Sequence, residues 1–245
     1  MNLPNSLTLV RIFIVPVLVV VLLTPFVEDW FGVTRYAFAI VLFLAAAITD
    51  FFDGHLARKR NQVSKFGILL DPVADKLLVS AALIALVEKH LAPAWAVVII
   101  LGREFAVTGL RSVAAADGLI ISAQMTGKIK MWAQCVAIIS LMVAGANSVP
   151  PVSNFGSVLP SFYFWNIPEV QTAFTDLLRF SLTTNDWRVF GYLIGRAGIW
   201  IAVVTSLWSM YEYFALFRRA DRERKEKLSE ANAATGAPLS ESLVE

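Results

Sequence analysis

The sequence has little charge and a large excess of apolar residues. Charged residues make up 16% of its 245 residues and hydrophobic residues 57%, whereas a soluble domain has about 25% charged residues. Because the apolar residues lie in long blocks that one aqueous core could not bury, the composition predicts a chain that lies in lipid. The net charge of +2 is not typical of nucleic-acid binding, so we expect no nucleic-acid partner.

Other absences narrow the class of protein further. Cys135 is the only cysteine, which excludes an intramolecular disulfide and a thiolate metal cluster. The first apolar segment lacks a basic start and a small-residue cleavage site, so we expect it not to be a cleaved signal peptide. The sequence also contains no glycine-rich phosphate loop and no internal repeat. Any phosphate chemistry would therefore have to use other residues.

The sequence does contain six apolar segments of about twenty residues, each long enough to cross a hydrocarbon core of ~30 Å as a helix. They lie roughly at residues 8–27, 35–58, 67–88, 93–115, 126–146 and 191–217. We therefore predict an all-α fold, an integral membrane bundle of six transmembrane helices that occupies residues 1–217.

The distribution of basic residues predicts the orientation of this bundle. Lysine and arginine are concentrated in the connection at 58–66 and directly after residue 217, and such residues mark the cytoplasmic side of a membrane. Both termini are therefore predicted to be cytoplasmic. Residues 147–190, rich in Pro, Ser, Asn and Phe, are predicted to form an extracytoplasmic insertion. Residues 218–245 are predicted to form a basic, then polar, largely disordered cytoplasmic tail.

Two of the predicted helices carry four aspartates near their cytoplasmic ends. Asp50 and Asp53 are three residues apart, and Asp71 and Asp75 are four apart, so each pair shares one helix face. Asp50 and Asp75 lie about 12 Å from the cytoplasmic helix ends, which brings the pairs to similar depths. Carboxylates inside a membrane need a partner or a metal. Oxygen ligands suit Mg²⁺ or Mn²⁺, and two such ions ~4 Å apart can clamp a phosphoryl group.

Small residues and an arginine accompany these aspartates. Gly54 and Ala57 leave room for a planar base or a pyrophosphate to approach the helix backbone, and Arg58 could hold phosphate oxygens. A single Asp near a helix end is usually a cap or a solvated group, and Gly and Ala at this spacing usually mark helix packing. The combination of all these residues nevertheless favours a shared functional site.

The pattern Asp50-x-x-Asp53-Gly54-x-x-Ala57-Arg58, eight residues, then Gly67-x-x-x-Asp71-x-x-x-Asp75 resembles the signature of the CDP-alcohol phosphatidyltransferase family, with no mismatch. The resemblance covers roughly residues 1–145 and 191–217. It is greatest to bacterial members that use sn-glycerol 3-phosphate as acceptor. It implies transfer of the phosphatidyl group of CDP-diacylglycerol to sn-glycerol 3-phosphate, with release of CMP. It also implies a homodimer in the cytoplasmic membrane of a bacterium.

The resemblance also implies roles for individual residues. Asp75 would be the general base as well as a metal ligand. The remaining metal ligands would be Asp50, Asp53 and Asp71. The residues that contact CDP-diacylglycerol would be Asn5, Thr8, Arg11, Gly54, Ala57 and Arg58. Capping of the first helix explains Asn5 and Thr8 equally well.

A phosphorylated acceptor needs cationic groups of its own. Arg103, Arg111 and Lys128 are the candidate ligands for glycerol phosphate. Arg103 lies well inside a predicted span, where an arginine facing lipid would be costly, and its alternative role is an ion pair with Glu104 or with another helix. Arg111 and Lys128 flank a predicted cytoplasmic loop, so the ordinary cytoplasmic excess of basic residues explains them equally well.

Two other functions stay open at this point. A sister enzyme would use another acceptor, such as inositol phosphate, serine or phosphatidylglycerol, because the aspartate motif contacts only the CDP half. An ion or metal transporter would also carry intramembrane acids, but here the outer halves of both helices are apolar. Gly191, Gly195 and Gly198 predict a close helix contact, either within one subunit or between two.

Overall fold

The computed structural model describes the backbone of residues 3–25, 34–60, 65–116, 126–146 and 167–235. Side chains are described over these ranges except at 3–8, 50–60, 65–72, 75, 113, 115–116, 126–130 and most of 220–235. The described part of the chain is all-helical. Its helices are α1 (Leu3–Leu23), α2 (Arg35–Arg60), α3 (Lys65–Glu88), α4 (Ala94–Ala116), α5 (Thr126–Ala144), α6 (Pro168–Leu178) and α7 (Thr184–Thr235).

The four central helices α2 to α5 begin and end within two residues of the predicted boundaries. The predicted start of α1 near residue 8 is wrong, because the helix begins at Leu3. Pro4 does not prevent this, since proline is tolerated in the first turn of a helix. Asn5 and Thr8 therefore lie within the helix rather than at its cap. The helix ends before Pro25, because the residue that precedes a proline is disfavoured in helical conformation.

The last helix is longer than predicted at both ends. It begins at Thr184 rather than near 191, and a capping box at Thr183 and Asp186 explains this start. The Asp186 carboxylate accepts hydrogen bonds from the Thr183 backbone N–H at 2.7 Å and from the Thr183 hydroxyl at 2.6 Å. The helix continues to Thr235, so the tail is helical over 218–235, where we expected disorder. The many Ala, Arg, Glu and Lys residues in this segment favour a helix.

α7 packs closely against α5 through its glycines. A Cβ atom placed on Gly191 would lie 2.9 Å from the Ser140 carbonyl oxygen, and one placed on Gly198 would lie 2.8 Å from the Ala137 Cβ. Gly195 meets Leu141 in the same way. The close contact predicted from these glycines is therefore made within one chain, because only their small size lets the two helices approach.

α1 packs against both α2 and α3, the two helices that carry the aspartates. Fully buried leucine and phenylalanine side chains from these helices form the core between them: Leu18, Leu22, Phe43, Leu83 and Leu86. At the end of α3, the Lys89 ammonium donates a hydrogen bond to the Leu23 carbonyl at the end of α1 (3.1 Å). These contacts fix α1 beside the aspartate-bearing pair.

The outward-facing side chains suit a lipid environment. Phe13 on α1, Val41 on α2, Val98 on α4 and Trp132 on α5 are 72%, 63%, 69% and 70% exposed, whereas soluble monomers rarely expose large apolar surfaces. By length and composition, one described helix, Thr184–Arg219, qualifies as a membrane span. Shorter apolar stretches occupy Leu9–Leu23, Arg35–Thr49 and Met131–Ala144. Six crossings remain a prediction.

The glycine contact yields a first testable prediction. Gly191→Ala should lower the stability of the protein by about 1–3 kcal/mol, because its Cβ meets the backbone of α5 rather than a flexible side chain. Gly109→Ala on α4 is the matched control, since a Cβ there meets nothing within 4 Å. Thermal unfolding in one detergent would measure both variants. Equal unfolding temperatures for the two variants would contradict this packing.

Candidate functional site

The four aspartates lie in the helical backbone of two consecutive helices. Asp50 and Asp53 belong to α2, and Asp71 and Asp75 to α3. In the sequence of α2, Asp50 is the first charged residue after Arg35. α2 and α3 contact each other, so both pairs lie on neighbouring helices. The four carboxylate groups themselves fall outside the described side chains.

The backbone positions and the donor chemistry fit a divalent cation. Asp50 and Asp53 are separated by about 4.5 Å along the axis of α2, and Asp71 and Asp75 by about 6 Å along that of α3. Each pair therefore occupies a single helical turn on one of two adjacent helices. Four carboxylates form an oxygen-only donor set, which Mg²⁺ and Mn²⁺ prefer. The metal remains a proposal that these positions support.

The predicted ligands of the CDP half lie on α1 and α2. Gly54, Ala57 and Arg58 occupy the last turns of α2, and Asn5 and Thr8 the first turns of α1. Their side chains fall outside those described, so their roles stay predictions.

Arg11 is described, and its side chain is only 1% exposed. A buried guanidinium is stable only when it has hydrogen-bond acceptors or anionic partners. Its helix, α1, packs against both aspartate-bearing helices. The fold therefore buries a cation on the helix that packs against both aspartate-bearing helices.

A cavity of about 160 Å³ lies between α3, α4 and α5. Its walls consist of Lys76, Val79, Ser80, Leu101, Arg103, Glu104, Met131 and Gln134. On α3, Lys76 directly follows the predicted general base Asp75 in sequence, and Val79 follows it by one helical turn. The Lys76 ammonium donates a hydrogen bond to the Thr108 hydroxyl, which links α3 to α4.

Arg103 is the one predicted acceptor ligand that lines this cavity among the described residues, and it is 7% exposed. One terminal nitrogen lies 3.4 Å from the Glu104 carboxylate, and the other donates a hydrogen bond to the Ser209 hydroxyl. Its guanidinium carbon is 5.9 Å from the centroid of the Tyr213 ring. Within the described structure its Nε has no hydrogen-bond partner. The expected contact with Glu104 therefore exists, but it is long for an N–H···O bond and leaves donor capacity unused.

The other two predicted acceptor ligands lie elsewhere or cannot be placed. Arg111 is exposed on α4, about 12 Å along the helix from Arg103, and does not line the cavity. Lys128 belongs to the first turn of α5, and its side chain falls outside those described.

Sequence reasoning assigned no role to Gln134, Lys76, Ser209 or Tyr213. Gln134 is 4% exposed, and its amide nitrogen has no hydrogen-bond partner among the described residues. A polar residue within an apolar segment can indicate a functional position, and Gln134 is such a residue. The Ser209 contact with Arg103 joins residues far apart in sequence, and no local pattern predicts it.

Comparison with known proteins identifies the class. The family model described as CDP-alcohol phosphatidyltransferase matches residues 1–208. A protein of Bacillus subtilis is 52% identical over 151 residues, which cover 58% of this chain and 77% of the relative. A protein of Cereibacter sphaeroides is 33% identical over 220 residues, covering 87% of this chain and 94% of the relative. A third, from Pseudomonas fluorescens, is 31% identical over 219 residues, covering 87% and 88%.

All three relatives bear the name CDP-diacylglycerol–glycerol-3-phosphate 3-phosphatidyltransferase. The all-helical architecture and the comparisons together define a transferase that is a membrane protein. The chain belongs to the CDP-alcohol phosphatidyltransferase family.

The contact between α4 and α7 yields a second prediction. Ser209→Ala should lower stability by about 1–3 kcal/mol, because it leaves a buried terminal nitrogen of Arg103 without its acceptor. Ser206→Ala is the matched control on the same helix. Ser206 is equally buried, but among the described residues its hydroxyl has no hydrogen-bond partner, so its removal should cost little. The thermal unfolding of both variants provides the measurement. A Ser206→Ala loss equal to that of Ser209→Ala would contradict the account.

Proposed function

We propose that this chain transfers the phosphatidyl group of CDP-diacylglycerol to sn-glycerol 3-phosphate, giving phosphatidylglycerol phosphate and CMP. The observation that carries this proposal is similarity to relatives named for that reaction, which extends over 87% of the chain. The helical placement of the complete aspartate motif on two adjacent helices supports it.

The reaction is a direct in-line displacement without a covalent enzyme intermediate. The free primary hydroxyl of the acceptor attacks the phosphorus that carries the diacylglycerol. A new P–O bond forms, and the bond between this phosphorus and the bridging oxygen breaks, so CMP leaves with the electron pair. Asp75 accepts the proton of the attacking hydroxyl as general base. The helices contribute chiefly by holding the two substrates in line.

Asp50, Asp53, Asp71 and Asp75 would together hold Mg²⁺ or Mn²⁺, two ions per site. When bound, such cations would neutralise the charge of the pyrophosphate and the charge that develops on the leaving CMP. The remaining interactions belong to the chain itself.

Residues of α1 and α2 bind the CDP half. The small side chains of Gly54 and Ala57 admit the nucleotide close to α2, and Arg58 binds its phosphates. Asn5, Thr8 and Arg11 complete this subsite from α1. The packing of α1 on both aspartate-bearing helices supports this arrangement.

Arg103 binds the phosphate of the acceptor. The position of Arg103 in the cavity wall, with donor capacity unused, supports its part in this assignment. Arg111 and Lys128 lie nearer the cytoplasmic ends of their helices and would attract the dianion as it enters.

The bundle crosses the cytoplasmic membrane of a bacterium six times, through α1 to α5 and α7, with both termini in the cytoplasm. The helices α1, α2 and α3 have 21, 26 and 24 residues, or about 31–39 Å, which suffices for a ~30 Å core. The active site then faces the cytoplasm at the end of α2 that follows its apolar stretch. A homodimer is proposed on the family resemblance.

An acceptor panel tests the reaction. The purified full-length chain, incubated with CDP-diacylglycerol and Mg²⁺, should release CMP with sn-glycerol 3-phosphate and not with inositol phosphate, serine or phosphatidylglycerol. Release of CMP with another acceptor and none with sn-glycerol 3-phosphate would establish a sister enzyme instead. Ion flux in proteoliposomes without CMP release would establish a transporter.

Two aspartate variants test the division of roles. Asp75→Asn should reduce turnover by about 10²–10⁴-fold, because the general base is lost, while binding of CDP-diacylglycerol persists. Asp53→Asn should instead raise the Mg²⁺ concentration needed for activity, and excess Mg²⁺ should partly restore the rate. CMP release across a Mg²⁺ titration measures both. Full turnover in Asp75→Asn would refute the general-base assignment.

A further inference from the structure

The cavity between α3, α4 and α5 carries two polar side chains that are more than nine-tenths buried. Arg103 on α4 is 7% exposed and Gln134 on α5 is 4% exposed, and both line the cavity. Neither Nε of Arg103 nor Nε2 of Gln134 has a hydrogen-bond partner in the described structure. Buried polar groups are normally hydrogen-bonded because an unpaired one loses its water without compensation. The cavity can therefore hold a ligand that accepts hydrogen bonds from both side chains.

The size of the cavity limits what such a ligand can be. Its volume of about 160 Å³ is roughly ten times the ~10–15 Å³ that one water molecule requires. It is smaller than the ~300–1,000 Å³ of pockets that enclose drug-sized molecules. A small polyol phosphate suits this space, whereas a nucleotide or a whole lipid does not.

The position of the cavity relates it to the proposed chemistry. Val79 on its wall follows Asp75 by one turn of α3, about 6 Å along the axis. A small molecule in the cavity could therefore present one end toward Asp75 while its other polar groups meet α4 and α5. An extended three-carbon acceptor has the length to do this.

We propose that this cavity binds the glycerol portion of the acceptor and that Gln134 determines specificity by donating a hydrogen bond to the secondary hydroxyl. This inference rests on the proposed function. Arg103, held by Ser209 and flanked by Tyr213, binds the phosphate on the α4 side. The free primary hydroxyl then lies toward the turn of α3 that contains Asp75. The amide of Gln134 thereby gains a hydrogen-bond acceptor beyond those in the described part of the chain.

An acceptor that lacks only the secondary hydroxyl, 3-hydroxypropyl phosphate, provides the test. The unsubstituted protein should use it with kcat/KM roughly tenfold lower than sn-glycerol 3-phosphate, the effect of about one hydrogen bond. Gln134→Met, which keeps the length of the side chain but removes the amide, should lose this discrimination. Its kcat/KM for sn-glycerol 3-phosphate should fall to that for the analogue, and the KM for CDP-diacylglycerol should stay unchanged.

Met131→Leu is the matched control, because Met131 lines the same cavity and the exchange preserves its apolar character. This variant should keep the full preference for sn-glycerol 3-phosphate. Two results would overturn the role of Gln134 while leaving the proposed function intact. In one, Gln134→Met still prefers sn-glycerol 3-phosphate over the analogue; in the other, the unsubstituted protein uses both acceptors equally well. Absence of CMP release with sn-glycerol 3-phosphate from the unsubstituted protein would overturn the proposed function itself.

Discussion

Four aspartates on two neighbouring apolar helices impose an electrostatic constraint on the whole bundle. Carboxylates that lie close together in a medium of low polarity repel one another. Cations must compensate them if they are to stay ionised and available for chemistry. The proposed divalent ions meet this need directly. A further buried positive charge, Arg11, lies on α1, the helix that packs against both aspartate-bearing helices.

The helices other than α2 and α3 hold polar side chains in position. α7 lies tightly on α5 because Gly191 and Gly198 have no side chains to separate the two backbones. From that position it presents Ser209 and Tyr213 to Arg103 on α4. Burying a guanidinium within the bundle is costly unless its N–H groups donate hydrogen bonds. The Ser209 hydroxyl on α7 accepts one of these bonds. The bundle thus carries the aspartate motif on α2 and α3 and, starting next to Asp75 in the sequence of α3, a cavity lined by Lys76 and Arg103 between α3, α4 and α5.

Much of this arrangement follows from local sequence patterns. Apolar segments of about twenty residues predict α2 to α5 to within two residues. The spacing of Asp50, Asp53, Asp71 and Asp75 predicts a site on α2 and α3. The start of α1 was mispredicted because Pro4 and Asn5 resemble a boundary. The length of α7 was mispredicted because a polar composition suggests disorder even where helix-forming residues predominate. The contact of Arg103 with Ser209 depends on how distant segments pack, and no local pattern encodes that.

Manganese binding measured by electron paramagnetic resonance tests the central claim most directly, namely that the carboxylates of α2 and α3 form one metal centre. Purified protein with CDP-diacylglycerol should bind two Mn²⁺ ions whose spectrum shows coupling between neighbouring spins, as expected for ions ~4 Å apart. Asn substitutions at Asp50, Asp53, Asp71 and Asp75, made singly, should each weaken or abolish the coupled signal. Binding of Mn²⁺ with unchanged affinity and spectrum in all four variants would contradict the account.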